Sequence, residues 1–386
     1  MIDGYDLDRD LSAINRALKG DMPEAAIFYC GRALEVTSAR AVSALNLDPG
    51  TQVFANLDML ERLSCIARPA LYLGHSLRRL ANDARHILRP LTNQDADFAA
   101  LCLGPWLRWY MTDYFRGPKT SVADRSFGIH SALATGAVAD TLDLLDRAES
   151  EDVSDRLLAL AGEQVVKLPA LASMVAEVLI SDGHADDAQA VLTAALAHVP
   201  EDLRLNQLYA LGCRRSGHPE EALTRLQKLT GKFSEDEETL GITAGALKSS
   251  WEKGQGPKDA LARALRLYAK GFQVSRERNL YLGVNGAAIE LWQQNPRARE
   301  HAAHIVDIFA RRNAQLAESG IAVDNQRDYY DMVTEAEALL LAGDGARARD
   351  LYARAFARFA ARKGDIAGTR AQANRSIALL GGEPIT

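Results

Sequence analysis

The sequence predicts an all-α protein: an N-terminal helical bundle followed by an α-solenoid of helix–turn–helix repeats. Three observations carry this. Small residues recur at a fixed spacing, since Ala210, Gly217 and Ala222 each lie 34 residues after Ala176, Gly183 and Ala188 (217 − 183 = 34). Such residues belong where two helix backbones touch, and Gly183 and Gly217 stand where a first helix must stop. Hydrophobic content of 47% with only 6% aromatics, and many Ala and Leu, suits helix packing rather than sheets. Apolar residues also recur at spacings of three and four from Ala25 to about Leu45.

Composition narrows the setting. A net charge of −6 gives no overall attraction to nucleic acid or anionic membrane. Four scattered cysteines (Cys30, Cys65, Cys102, Cys213) form no CxxC pair, so neither disulfides nor a metal is expected, and a reducing cytoplasm fits. The acidic start Met1–Asp8 lacks a signal-peptide core, and no apolar run approaches the roughly 18 residues a membrane span needs.

Residues 1–118 read as the bundle. Leu7–Leu18 is amphipathic and ends near Gly20, and Asp21-Met-Pro23-Glu24 opens a helix reaching about Leu45. Further helices are expected over Val53–Ala67, Ala70–Leu88 and Gln94–Phe115. Trp106, Trp109, Tyr110, Tyr114 and Phe115 form an aromatic stripe on the last of these, expected to dock it on its neighbours rather than to stack bases. The segments Gly31-Arg32-Ala-Leu-Glu35, Leu80-Ala-Asn82-Asp83-Ala-Arg-His86 and Asp95-Ala-Asp-Phe-Ala resemble a bacterial helical domain of unknown function found in restriction and conflict systems. That domain in turn resembles, at a distance, the HEPN fold. The resemblance implies an alternative function, a metal-independent ribonuclease with Arg79 and His86 as catalytic pair and the repeats as sensor. A His could move the 2′-hydroxyl proton while an Arg steadies the phosphate. Such a site needs two helices of this kind, hence a homodimer. The structural account, in which Asn82, Asp83 and His86 tie the bundle together, is the expectation.

Residues 119–168 read as a helical join or capping layer: a short linker, a pair over Ser126–Thr135 and Val138–Ala148, and a helix over Arg156–Lys167. Residues 169–386 read as the repeat array. After Pro169–Asp236 its helices are expected over Glu237–Trp251, Lys258–Phe272, from Asn279, Pro296–Leu316, from Asp328 to Gly343, around Arg347–Ala355, and Ile366–Leu380 before Gly381-Gly382. The 34-residue period with its small residues resembles the tetratricopeptide (TPR) repeat. Ala264–Phe272, Tyr281-Leu-Gly283-Val-Asn285 and Asp328-Tyr-Tyr330 with Glu335–Asp344 are similar to the TRAF-binding, TPR-like region of the apoptosis-signal-regulating kinase kinase kinases. That similarity implies an interaction or regulatory scaffold, with relatives in bacterial signalling and anti-phage defence.

Enzyme and cofactor motifs are missing from the sequence: it contains no Gly-x(4)-Gly-Lys-Ser/Thr loop and no Gly-x-Ser-x-Gly elbow, so no cofactor is expected. His301, His304 and Asp307 could share a helix face, but without a further ligand a solvated face is the better account. Arg354, Arg358 and Arg362 recur every four residues, an anion-binding candidate where RNA or a nucleotide could bind, against the expectation of a solvated outer helix. The function expected is a protein-interaction scaffold or adaptor that offers a protein or peptide partner the concave face of the array. Ala172, Glu177, Asn206, Asn285 and Glu290 are the candidate contacts there.

Overall fold

The computed structural model describes residues 5–45, 47–62, 66, 68–86, 91–110, 137–145, 147–148, 151–318 and 327–385. The chain divides into two compact units, Met1–Leu142 with Ala314–Arg327, and Asp143–Asn313 with Asp328–Thr386. Among the described residues there are helices, turns and no strand.

The first unit contains α1 (Leu7–Lys19), α2 (Pro23–Ser43), α3 (Val53–Arg62), α4 (Arg68–His86) and α5 (Asn93–Arg108). Each start follows from local chemistry. The Asp6 carboxylate accepts from the Arg9 amide at 3.2 Å, Pro23 fills the first turn of α2, and Thr92 and Asp95 cap α5 reciprocally. Helix α2 is the hub, packing on the other four. Gly31 lets it do so, because a Cβ there would lie 2.5 Å from the Ala81 Cβ on α4. The Arg-Ala-Leu-Glu segment serves the same packing: Arg32 donates to the buried carboxylate of Asp10, and Glu35 accepts from Arg85 at 2.5 Å. Trp106, Trp109 and Tyr110 are buried, with the Trp106 indole N–H donating to Thr37 Oγ1 at 2.8 Å. Tyr114 and Phe115 lie outside the described residues.

Helix α6 (Ala137–Leu145) takes the place of the expected Val138–Ala148 helix, while Ser126–Thr135 lies outside the described residues. The helix expected over Arg156–Lys167 is in fact two, α7 (Ser154–Leu160) and α8 (Glu163–Val166). Gly162 separates them with an extended backbone (φ −81°, ψ −171°) that an α-helical ladder cannot pass through.

The array of the second unit is a succession of antiparallel pairs. These are α9 (Pro169–Asp182) with α10 (Ala185–His198), α11 (Leu203–Arg215) with α12 (Pro219–Lys232), and α13 (Glu237–Glu252) with α14 (Ala260–Val274). Then come α15 (Leu280–Trp292) with α16 (Ala298–Glu318), α17 (Tyr329–Ala342) with α18 (Gly345–Arg358), and a single last helix, α19 (Lys363–Leu380). Gly183 and Gly217 end first helices at φ +105° and +88°, a conformation other residues adopt only with strain. Ala176, Ala188, Ala210 and Ala222 have no exposed surface, as their role in close helix contact requires. Asp202, Asp236 and Asp328 cap α11, α13 and α17 through side chains that accept backbone N–H groups at 2.7–2.9 Å.

Successive first helices α9, α11 and α13 touch one another, as do α15 and α17, so first helices form the inner side of the array. Helix α19 packs on α9, α15 and α17, and therefore lies across that inner side. Its Ile366, Ala373 and Ile377 join an apolar cluster with Tyr329, Leu351 and Phe359 of the α17–α18 region. Its start meets the α9–α10 turn at backbone contact, since a Cβ on Gly364 would sit 2.8 Å from Gly183 Cα.

Candidate functional site on the inner face

Two polar clusters fasten α19 to the inner face. The first centres on Asp365, 1% exposed. Its carboxylate accepts from Arg215 (2.8 Å), from the Tyr330 hydroxyl (2.6 Å) and twice from Arg362 (3.1 and 3.0 Å). Burial alone would raise the Asp365 pKa, but the two guanidinium charges and these bonds hold it below the usual aspartate value. Arg215 also donates to the Gly364 carbonyl at 3.1 Å, and Arg362 to Ser181 Oγ at 3.0 Å, joining α19 to α11 and α9. At the rim Lys363 pairs with Asp152, and Asp182 accepts from Ser154 at 2.7 Å.

The second cluster centres on Lys248 of α13. Its ammonium donates to Asn285 Oδ1 at 2.9 Å and to Gln372 of α19. The Gln372 amide donates in turn to both carboxylate oxygens of Glu337, each at 2.8 Å, and to Asn285 at 3.2 Å. Burial lowers the Lys248 pKa to about 8, against the carboxylates of Glu252 and Glu337, while Arg214 and Arg215 reinforce the drop. Burial raises that of Glu337 to about 6, opposed by Gln372 and by the Lys248 charge. Beside this pair Trp251 and Trp292 stack, with centroids 6.1 Å apart and planes at 14°. Arg375 of α19 lies over both rings, 5.4 and 5.2 Å away, and the Trp292 indole N–H donates to Ser376 at 3.1 Å. Helices α13, α15 and α17 together with α19 thus build one polar, aromatic-lined cluster.

The residues expected from the sequence fall at several places. Asn285 belongs to the Lys248 cluster. Glu177 of α9 joins a ladder in which Arg204 of α11 bridges it to Glu238 of α13, two carboxylates two repeats apart. Asn206 closes the start of its own helix, donating to the Pro200 and Asp202 carbonyls and accepting from Arg225 at 2.9 Å. Ala172 is fully buried, and Glu290 turns to α16, where its carboxylate meets His301 at 2.7 Å. His304 pairs with Glu277 instead, so the His301, His304, Asp307 run does not converge, and no group of three metal-ligand side chains exists among the described residues. The arginine series does not lie on one helix. Arg354 and Arg358 are exposed at the end of α18, whereas Arg362 follows a turn and is buried against Asp365, Tyr329 and Tyr330. Arg79 is exposed on α4, and the side chain of His86 lies outside the described residues.

Sequence reasoning passed over Lys248, Arg214, Glu337, Gln372 and the Trp251–Trp292 pair. One signal was available: Arg214 and Lys248 are one repeat apart (248 − 214 = 34), cations at the same register of successive first helices.

Residues 184–290, from the start of α10 almost to the end of α15, match the family described as Tetratricopeptide Repeats-Sensor, TPR-S. A search of curated proteins found no match. Over this stretch the chain is similar to TPR-type sensor domains, a class that supports protein interaction or sensing. No helix among the described residues is long and apolar enough to cross a membrane.

Proposed function

We propose that the protein is an interaction and sensing scaffold, a regulator or adaptor in a bacterial signalling or defence system, with the inner face of the second unit as its recognition surface. The observation that carries this is the character of the contact between α19 and that face. The helix buries its apolar side against α17 and α18, but meets α11, α13 and α15 through Asp365, Gln372, Arg375 and Ser376. At Gln372, Arg375 and Ser376 such contacts can be exchanged for another polar partner that replaces the same bonds. A protein or peptide partner that supplies matching groups therefore competes with α19 for Lys248, Trp251 and Trp292. The match to a sensor-type repeat domain over the helices that form this surface supports the same reading.

The test is capture from an extract of the native host with tagged full-length protein and two inner-face variants, Arg375→Glu and Gln372→Glu. A stoichiometric partner whose retention changes at least severalfold in both variants is the expected result. Identical retention by wild type and both variants contradicts the proposal.

A further inference from the structure

Two side chains near the inner face, Arg214 and Tyr268, make no hydrogen bond to α19 among the described residues, whereas their neighbour Lys248 donates to Gln372. Arg215 and Arg362 share Asp365, and Arg375 faces Glu252, but Arg214 forms no ion pair among the described residues. Its Nε is buried with no hydrogen-bond partner. The hydroxyl of Tyr268, a residue with no exposed surface, is likewise unpartnered. Both groups pack against Gly245. The position that a Cβ on Gly245 would occupy is 3.1 Å from Arg214 Nη1 and 3.5 Å from Tyr268 Oη. Gly245 lies on α13 three residues before Lys248, so the ammonium belongs to the same helical face. The Tyr268 hydroxyl stays protonated, because burial raises its pKa well above the ordinary value. It is thus a donor with no acceptor among the described residues, a costly arrangement in a folded interior. Arg214 as a whole is only half-buried.

The geometry points to a phosphate-binding site formed by Arg214, Tyr268 and Lys248, in which the phosphate is free or carried as the ester of a small molecule. A phosphate suits it better than a carboxylate. Donors arrive from three helices, α11, α13 and α14, and a phosphate offers three acceptor oxygens in three dimensions where a carboxylate offers two in a plane. The small residue at position 245 leaves the guanidinium and the hydroxyl free to approach one another. Bound phosphate would place negative charge beside Lys248, and the surplus cation Arg214 would gain its counter-ion. This site deepens the reading of the inner face as the recognition surface.

Inorganic phosphate is titrated calorimetrically into the full-length protein at constant ionic strength, with chloride as control. Saturable binding of one phosphate is expected, weakened about tenfold or more in Arg214→Met. Tyr268→Phe, which keeps the ring and removes only the hydroxyl, should weaken it severalfold. Arg354→Met, on exposed α18, should not change it. A parallel titration with glycerol 3-phosphate separates the sources: tighter binding than phosphate assigns an ester, weaker binding the free ion. No saturable binding by wild type, or undiminished binding by Arg214→Met with native circular dichroism, overturns the inference. The two tests separate cleanly, since partner capture is scored on Gln372 and Arg375, and phosphate binding on Arg214 and Tyr268.

Discussion

Replacing Asp365 by alanine should unseat the start of α19. In the wild type one carboxylate, 1% exposed, receives four hydrogen bonds from Arg215, Tyr330 and Arg362. Alanine removes the carboxylate that the two guanidinium groups share, and the Arg362 side chain has only 10% of its surface in solvent. Removing one partner of a buried ion pair typically costs about 3–5 kcal/mol, and a shared carboxylate belongs at the upper end of that range. Because α19 touches α9, α15 and α17, the loss should fall on the whole second unit. Urea unfolding at pH 7, read by near-ultraviolet circular dichroism from the Trp251–Trp292 pair, measures it. The pH profile gives a second signature. The folded-state pKa of Asp365 lies below its ordinary value, so its stabilisation is present above that value and is lost as pH falls through the folded one. Wild type should therefore lose its advantage over Asp365→Ala in strong acid. A loss below about 1 kcal/mol at pH 7 would refute the idea that this carboxylate holds the helix.

Three further outcomes follow from the same structure. Glu337, raised to about 6 from 4.5, contributes stability below pH 4.5 that is lost as pH rises through 6. Relative to Glu337→Gln, wild type should lose on the order of 2 kcal/mol between those limits, as thermal melts across pH would show. Gly364→Ala puts a Cβ 2.8 Å from the Gly183 backbone, an overlap that no side-chain rotation relieves, and should cost about 1–3 kcal/mol by urea unfolding. Thr37→Val in the first unit leaves the buried Trp106 indole N–H without its acceptor, for a loss of about 1–3 kcal/mol on the same assay.

What could be read from the sequence was local. Gly183 and Gly217 mark helix ends because the required left-handed backbone is a property of single residues, and Asp202, Asp236 and Asp328 mark starts because each caps an amide three residues on. The small-residue register at Ala176 and Ala210 carried the repeat itself. The return of α19 was not readable, since Arg362 meets Ser181 and Gly364 meets Gly183 across about 180 residues, and no periodicity encodes such contacts. The arginine series shows the same limit: the turn after Arg358 sends Arg362 inward, although the spacing of four suggests a continuous stripe. The inner-face site lay between these cases. The 34-residue spacing of Arg214 and Lys248 was visible, but the residues that complete the surface, Tyr268, Glu337 and Gln372, come from helices that only the fold brings together.

The most direct test is hydrogen exchange of the α19 amides, Lys363–Leu380, resolved by mass spectrometry in the full-length protein. The structure predicts that they exchange as slowly as those of α9 and α11, and that Asp365→Ala speeds them selectively. Rapid exchange of α19 in the wild type, at the rate of an unprotected helix, would contradict the seating of this helix across the inner face.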